Sequence, residues 1–289
     1  VYISIHLSND LSTGDDGMKK ALPVGAMDCH THTQFSHDSV ADPAESVRMA
    51  KERGLLQIAF TDHCDVEFCA DTDIGTPIVQ SVTAAREQGS LAGVEMGEGL
   101  WTPSAAKAVL DSADFDIVIG SVHAVRYPNL RMPYSRIDFS AFDEKLLCDY
   151  LRVYFADVLE LAQTGDFDVL AHLTCPLKYI CGVYGRRVSL VAYAETIDAI
   201  FDTIVARRIA LEVNTSGVGT ALGQLMPDVP LLRRYKERGG QLLTLGSDAH
   251  TPERVGVGFR EAIAALGEIG FTQAYYYKKR AAVPYEMKG

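Results

Sequence analysis

The chain has 289 residues and a mass of 31.5 kDa, which allows one large domain or two small ones. Its composition is 47% hydrophobic and 22% charged, which is typical of a globular protein and excludes disordered and fibrous classes. The net charge of −11 argues against a nucleic-acid partner, although bound divalent cations could still attract a small anionic substrate.

From residue 24 onward, short runs rich in Val, Ile and Leu alternate with longer segments of helical periodicity. The runs predict strands at 24–30, 56–61, 91–96, 115–122, 167–172, 209–214 and 241–246. The segments between and after them predict helices at 43–53, 78–88, 103–111, 142–164, 189–207, 229–238 and 252–268. Seven alternations of strand and helix favour an α/β fold in which a parallel sheet closes into a barrel.

This pattern predicts a single barrel domain over residues 24–289, preceded by an N-terminal extension, 1–23, to which we assign no function. Two stretches interrupt the alternation: 62–77, which is acidic and contains glycine, and 124–141, which contains two prolines. Long loops that follow strands commonly form the walls of a barrel's pocket. We expect the same of these two.

No stretch approaches the roughly 18 apolar residues of a membrane span, so no membrane partner is expected. Residues 18–27 resemble a signal peptide, but their apolar part is short and interrupted by Pro23 and Gly25. A cytoplasmic protein is therefore expected. The six cysteines contain no CxxC pair, which favours reduced thiols, and burial explains Cys29 and Cys64 better than metal binding does.

Side chains that bind metals stand where the predicted strands end. They are His30, His32 and His37 after the first strand, Asp62 and His63 after the second, Glu95 in the third, His123 and His172 at the fourth and fifth, and Asp248 and His250 after the seventh. Because barrels build their active sites at the carboxyl ends of their strands, these residues should share one mouth. Alternate residues of a strand share a face, so His30 and His32 can bind one ion together.

The number of candidate ligands exceeds the capacity of one ion. Seven histidines with Glu95 and Asp248 make nine donors, whereas three histidines would suffice for a catalytic zinc. Two or three ions that share a bridging carboxylate are therefore expected. Metal pairs stabilise both the attacking and the leaving oxygen of a displacement at phosphorus, which favours phosphoester hydrolysis and leaves hydrolysis of other bonds open.

The order and spacing of these residues resemble the polymerase and histidinol phosphatase (PHP) superfamily over about residues 27–280. The motifs are Asp28-Cys-His-Thr-His32, Thr61-Asp-His63, Gly93-Val-Glu95, Gly120-Ser-Val-His123, Ala171-His172 and Gly246-Ser-Asp-Ala-His250. Two further segments, Leu211-Glu-Val-Asn-Thr-Ser-Gly217 and Tyr275-Tyr-Tyr-Lys-Lys-Arg280, are similar to the histidinol-phosphatase branch.

The resemblance implies a distorted (βα)7 barrel, similar to a TIM barrel, with three divalent metal ions that are usually zinc and sometimes iron or manganese. It implies a first ion held by His30, His32, Glu95 and Asp248, a second held by Glu95, His123 and His172, and a third held by His37, His63 and His250. The implied activity is a phosphomonoesterase, and most specifically the hydrolysis of histidinol phosphate in histidine biosynthesis. After His172 the chain has Leu173-Thr-Cys-Pro176 where some members have Asp. This difference bears on which substrate is bound and not on metal binding.

A small phosphorylated substrate requires a cation near the metals. The candidates, each in a segment that follows a strand end, are Arg254 as the first choice, Lys178 as the second, and Arg126 and Arg186. Arginine is favoured because it can bind phosphate through two parallel hydrogen bonds.

Several carboxylates next to the ligands have open roles. Asp62, like Asp28, is expected to orient a metal-bound imidazole, and the alternative for Asp62 is general acid to the leaving alkoxide. Glu98 could meet a cationic amine of the substrate, although a surface position is favoured. Glu212 and Asn214 could line the pocket.

Other functions stay open from the sequence. A PHP phosphoesterase could act on nucleotides, sugar phosphates or phosphotyrosine. A deaminase-like amidohydrolase is disfavoured by Glu95 and Thr61-Asp-His63, and a non-catalytic metal-binding module should have lost ligands that are all present here. Residues 275–280 could pass for a basic and aromatic nucleic-acid patch, but a terminal strand with exposed cations fits the global charge better. The oligomeric state is not predicted.

Overall fold

The computed structural model describes residues 25–66 and 75–287, so the predicted extension lies outside it. The described strands are β1 Met27–Thr31, β2 Gln57–Phe60, β3 His63–Asp65, β4 Leu91–Gly97, β5 Ile117–Ser121, β6 Val169–Leu170, β7 Ala210–Asn214, β8 Leu243–Gly246, β9 Gln273–Lys278 and β10 Ala281–Glu286. The described α-helices are α1 Pro43–Glu52, α2 Gly75–Glu87, α3 Pro103–Leu110, α4 Glu144–Thr164, α5 Ala194–Arg207, α6 Val229–Glu237 and α7 Phe259–Ile269. Within these ranges no helix has the length and apolar character needed to cross a bilayer.

Seven of the described strands form a parallel sheet that curves into a barrel. Their order is β1-β2-β4-β5-β6-β7-β8, and a helix follows each of them along the chain. The two end strands meet at their carboxyl ends, where Thr31 pairs with Ala249 and the Asp248 N–H donates to the His30 carbonyl at 2.8 Å. The predicted distorted (βα)7 barrel is thereby confirmed.

The barrel interior changes character along the strands. Apolar side chains fill it near the amino ends, namely Met27, Cys29, Ala59, Leu91, Ile117, Ile119, Val169, Ala171, Ala210 and Tyr277. Glu95 and Glu212 lie farther along the same strands and are also buried. A larger apolar core, which includes Val94 on the opposite face of β4 from Glu95, lies between the sheet and the helices. The two-residue period of a strand therefore assigns one face to the site and the other to the helices.

β1 departs from this alternation. Its register against β2 shifts by one residue between Asp28 and Thr31, as in a β-bulge. Cys29 joins the apolar interior, and the next residue, His30, also faces inward, with its Nε2 3.2 Å from Glu95 Oε2. Bulges commonly redirect side chains next to functional sites. Here the bulge brings His30 to the mouth of the barrel.

Two elements differ from the sequence prediction. The short strand β3 lies inside the predicted loop 62–77 and pairs with β4, with His63 opposite Glu95. The last helix begins at Phe259 rather than at 252, because Gly256 and Gly258 adopt left-handed backbone conformations that an α-helix does not contain. Residues Pro252–Arg254 form a separate short 3-10 helix.

The hairpin of β9 and β10 closes the amino end of the barrel. Tyr277 packs into the apolar interior, and the turn residue Arg280 donates from Nε to both oxygens of Asp168 at 3.1 Å. The backbone N–H of Arg280 donates to the Asp116 carbonyl at 2.8 Å. The predicted terminal strand is present, but Arg280 is ion-paired at the barrel floor instead of free in solvent.

Candidate metal centre

The predicted ligands converge at the carboxyl end of the barrel. Three groups of them have ligand atoms within 4.8 Å of one another: His32, His63 and His250; His30, His32 and Glu95; and His63, Glu95 and His123. A fourth group joins His123 to Asp65 and Glu98, which were not predicted as ligands. An open cavity above them is lined by His37, Asp38, His63, Asp65, His123, Pro133, Tyr134, Ser135, Arg136, His172, Cys175, Lys178, Tyr179, Asp248 and His250. Both predicted loop stretches, 62–77 and 124–141, therefore contribute to its wall.

Glu95 lies at the centre of the cluster and is fully buried. Its Oε1 is 2.9 Å from His172 Nε2 and 3.1 Å from His123 Nε2. Its Oε2 is 3.2 Å from His30 Nε2 and 2.9 Å from His63 Nδ1. One carboxylate thus faces four imidazoles, which is the position that a bridging ligand requires.

The histidines of β1 present their Nε2 atoms to each other at 3.0 Å. Both Nδ1 atoms are engaged on the far side of the rings, that of His30 by Glu212 at 2.7 Å and that of His32 by Ser36 Oγ at 3.0 Å. Asp248 completes this part of the site, with Oδ1 3.3 Å from His32 Nε2. Asp248 has a left-handed backbone, φ 52°, which Asp tolerates better than most residues do.

His63 and His250 form the outer part of the site. Each ring stacks against His32, with centroid distances of 4.1 and 4.2 Å, and the two rings lie 5.6 Å from each other. Asp38 joins them, since its Oδ2 is 3.3 Å from His250 Nε2 and 3.6 Å from His63 Nε2. The predicted ligand His37 lies at the rim, with a side chain that is 53% exposed and 4.0 Å from Asp38, and it belongs to none of the four groups.

Unsatisfied atoms at the centre fit divalent cations. Glu95 Oε2 and His63 Nδ1 are buried and make no hydrogen bond, although they lie only 2.9 Å apart. Buried polar atoms without partners are rare in folded proteins unless an ion or water satisfies them. Imidazole nitrogens with carboxylate oxygens suit zinc, iron and manganese. The donor set therefore fits divalent metals.

The charges within the cluster stabilise one another. Burial alone would raise the pKa of Glu95, but the charges of His30, His123 and His63 hold it well below its usual range. Burial opposes protonation of His30, yet Glu212 and Glu95 raise its pKa well above the ordinary value. His32 behaves oppositely, because burial and the neighbouring His63 and His250 lower its pKa.

The PHP domain, as a protein family, matches residues 28–216 of the chain. The chain belongs to the PHP family. Among curated relatives of this PHP protein, a probable histidinol-phosphatase of Deinococcus radiodurans is 30% identical over 86% of the chain and 95% of the relative. A probable histidinol-phosphatase of Clostridium acetobutylicum is 28% identical over 87% of the chain and 97% of the relative.

A crystal structure of the histidinol phosphate phosphatase of Lactococcus lactis, complexed with zinc, L-histidinol and phosphate, is similar with a TM-score of 0.72. Its sequence identity is 25%, and the match covers 89% of the PHP chain and 98% of that protein. The putative histidinol phosphatase of Listeria monocytogenes has a TM-score of 0.70 at 18% identity, which shows a shared fold.

The cations of the PHP cavity differ from those predicted. Lys178 lines it from a single π-helical turn, Lys178–Val183, and its Nζ is 3.1 Å from Ser216 Oγ. Arg136, which the sequence did not single out, also lines the cavity, from the 3-10 helix Tyr134–Arg136. Short π-helical segments frequently occur at functional sites.

Three predicted phosphate-binding arginines lie outside the cavity, and this part of the prediction is corrected. Arg126 is ion-paired with Asp157 and Glu160 of α4. Arg186 donates to the carbonyls of Phe139 and Phe142 at 3.0 and 2.7 Å. Arg254 belongs to the 3-10 helix that packs against α1. Lys178 alone of the four predicted cations reaches the site.

The position of Asp62 does not suit a general acid, because its carboxylate does not reach the cavity. It is fully buried, it does not line the cavity, and its oxygens accept from Thr33 and Ser81 as well as from Ser36 Oγ at 2.7 Å. Ser36 in turn contacts His32, so Asp62 acts on the site through a neighbour. Asp28 likewise accepts the N–H groups of Ser247 and Gly256 and fixes the barrel seam.

Several functional residues escaped the sequence prediction or received another role. Asp38 follows His37 directly, and Asp65 lies in β3 two residues after His63, so proximity in sequence was their available signal. Glu98 is buried rather than exposed, and its Oε1 accepts the N–H groups of His123 and Ala124 at 2.7 Å. Burial and the nearby Asp65 raise the pKa of Glu98 to about 8.

The cysteines next to the ligands are not ligands. Cys29 lies in the apolar interior, 3.7 Å from the Tyr275 carbonyl, and Cys64 lies in the core beneath the helices. Burial, the favoured interpretation of the sequence, accounts for both.

Proposed function

We propose that this PHP protein is a metal-dependent phosphomonoesterase that hydrolyses L-histidinol phosphate to L-histidinol and phosphate. The observation that supports it most is the buried Glu95, which faces four imidazoles beneath a cavity that contains Lys178. The relatives named histidinol-phosphatase cover nearly the whole domain and support the same choice of substrate.

We propose three divalent ions, most specifically zinc. His30, His32, Glu95 and Asp248 would hold the first, Glu95, His123 and His172 the second, and His63, His250 and the rim residue His37 the third. Asp38 is an added candidate for the third ion because it contacts both His63 and His250. When bound, such ions supply Lewis acidity toward phosphoryl oxygens and a nucleophilic water at neutral pH.

The chain's own residues bind and orient the substrate. Lys178 and Arg136 line the same cavity as His123 and His172, and their charges offset those of the phosphate. Tyr134 and Tyr179, whose ring centroids are 5.6 Å apart, form an aromatic wall. Aromatic rings stack on other flat rings, so this wall suits the imidazole of histidinol phosphate.

The test is phosphate release from a panel of histidinol phosphate, a sugar phosphate, a nucleoside monophosphate and phosphotyrosine, with bound metal counted by elemental analysis. We expect about three ions per chain and the highest kcat/KM with histidinol phosphate. Preference for another phosphomonoester would leave the phosphatase assignment intact and replace the substrate. Failure of the metal-loaded protein to hydrolyse any member would overturn the assignment and favour a non-catalytic metal-binding module.

A further inference from the structure

The ring of His30 is held from behind by a buried carboxylate. Glu212 Oε1 lies 2.7 Å from His30 Nδ1, while Glu212 Oε2 accepts the backbone N–H of His172 at 2.7 Å and the side-chain amide of Asn214 at 3.3 Å. Space for this carboxylate exists because residue 246 is glycine, since a Cβ there would overlap Glu212 Oε1. Because a carboxylate accepts, His30 Nδ1 donates, so in the neutral ring the lone pair that a metal would bind is on Nε2, the atom 3.2 Å from Glu95 Oε2.

The same arrangement recurs on the opposite side of Glu95. Asp65 Oδ1 lies 3.0 Å from His123 Nδ1, and His123 Nε2 lies 3.1 Å from Glu95 Oε1. Here residue 97 is glycine, and a Cβ at that position would overlap the Asp65 carboxylate. Asp65 and Glu212 are both buried.

The two pairs are related through the bridging carboxylate. His30 faces Glu95 Oε2 and His123 faces Glu95 Oε1, so each oxygen of the bridge meets one imidazole whose far nitrogen is held by its own acid. A carboxylate behind a ligating imidazole fixes its tautomer and raises its basicity, and its loss commonly lowers metal affinity about 10- to 100-fold.

We propose that Asp65 and Glu212 are positioning residues, each of which orients one histidine for one of the two metal positions that share Glu95. Glu212 serves the position of His30 and His32, and Asp65 serves the position of His123 and His172. This inference rests on the proposed metal-dependent function. Asp65 lines the cavity and Glu212 does not, but the hydrogen bonds described for both carboxylates go to His123, His30, His172 and Asn214 and not to the cavity's cations, so we expect their main effect to be on metal binding.

The two sites respond differently to amide substitution. In Glu212→Gln, the carbonyl oxygen of the amide takes the position of Oε2, because the N–H groups of His172 and Asn214 donate there. The amide NH2 then takes the position of Oε1 and faces His30 Nδ1. That NH2 requires Nδ1 to accept, so the proton of His30 moves to Nε2, the atom that should bind metal. In Asp65→Asn, the amide carbonyl can still accept from His123 Nδ1, whereas Asp65→Ala removes the acceptor.

Zinc binding measured by equilibrium dialysis tests this. We expect Glu212→Gln and Asp65→Ala each to weaken one equivalent of zinc about 10- to 100-fold and to leave the others near the wild-type affinity. Asp65→Asn should recover most of that loss. Nitrogen NMR of the metal-free proteins, at a pH where His30 is neutral, should show its proton on Nε2 in Glu212→Gln and on Nδ1 in the wild type, a readout that is independent of activity.

The matched control is Asp116→Asn, a buried carboxylate at the opposite end of the barrel that accepts from Ala92 and Lys279. It should bind all zinc normally, and metal-free thermal unfolding identifies any variant that fails to fold. Wild-type zinc binding in both Glu212→Gln and Asp65→Ala would overturn the inference. If the wild-type protein itself bound no zinc, the proposed function would fail instead.

Discussion

Lys178 is the predicted cation that reaches the cavity, and its neighbours connect it to the metal centre. Its Nζ contacts Ser216 Oγ, which lies 3.3 Å from Asp248 Oδ2. We expect Lys178→Met to lower kcat/KM for histidinol phosphate about 100-fold, the usual cost of removing one group that stabilises transition-state charge. Steady-state kinetics with metal content held equal would measure it.

The matched control for Lys178→Met is Arg126→Met, which removes a cation whose partners, Asp157 and Glu160, lie outside the cavity. Its kcat/KM should remain within about twofold of the wild-type value, because no reacting group loses a contact. An equal loss in both variants would show that general charge, and not the position of Lys178, determines the rate.

Burial separates two predicted ligands of the third ion. The His63 side chain is 9% exposed and contacts Glu95, whereas the His37 side chain is 53% exposed and 4.0 Å from its nearest acid. We expect His63→Ala to lose at least one bound ion and His37→Ala to weaken one ion only modestly. Elemental analysis after dialysis measures both, and the reverse order would contradict the geometry described for the rim.

The sequence predicted that the candidate ligands would lie together because they stand at strand ends. They include His30, Glu95, His123 and Asp248, which lie in strands or just after them. The strand backbone there largely fixes the direction of each side chain. Arg126 and Arg186 lie farther beyond the ends of β5 and β6, and their long side chains reach acids and carbonyls that neighbouring segments supply. Those partners are set by tertiary packing, which strand spacing does not encode.

At the scale of elements, the C-terminal hairpin is anchored to the barrel floor through an ion pair. Arg280 in its turn pairs with Asp168, which is buried, and with Asp166. We expect Arg280→Ala to lower the free energy of unfolding by about 1–3 kcal/mol, because a buried carboxylate loses a charged hydrogen-bond donor. Urea unfolding of the metal-free protein would measure it.

The control for Arg280→Ala is Arg238→Ala, which removes a partly exposed arginine paired with Asp198 and Asp202 on the barrel's outer surface. Exposed ion pairs contribute about 0–1 kcal/mol, so this change should be smaller. Equal losses would mean that the hairpin is not specially anchored at the barrel floor.

Seven strands and their helices were predictable because apolar runs and helical periods alternate cleanly. The sequence predicted a helix start at 252 because proline is favoured in the first turn of a helix. The left-handed backbones of Gly256 and Gly258 delay the α-helix to Phe259. The strand β3 has three residues, too few for a period to appear, and it exists because its backbone pairs with β4. The bulge in β1 likewise depends on its partner strand and not on its own sequence.

For the whole molecule, metal and fold stability should be linked. The centre buries Glu95 among imidazoles whose nitrogens lie as close as 3.0 Å to one another, which favours any state that holds cations there. Zinc at 100 times its dissociation constant would raise the free energy of unfolding by about 2.7 kcal/mol per site. We expect chelation to lower the melting temperature by about 5–10 °C, and added zinc to restore it.

Calorimetry of the chelated and the zinc-restored protein would test this linkage. The Glu95→Gln variant serves as the comparison, and zinc should raise its melting temperature less than that of the wild type, because the two ions that would share Glu95 lose a ligand. Identical melting temperatures for wild-type protein with and without zinc would contradict the linkage.

The seam of the barrel joins the two ends of the sequence. Asp28 accepts from the Ser247 N–H across a separation of 219 residues, and it is at this seam that His30 and His32 meet Asp248. A ribosome synthesises His30 and His32 long before Asp248. Until Asp248 has been made, the growing chain offers zinc only an incomplete set of donors. Full capture of the first ion therefore waits for the strand that closes the seam.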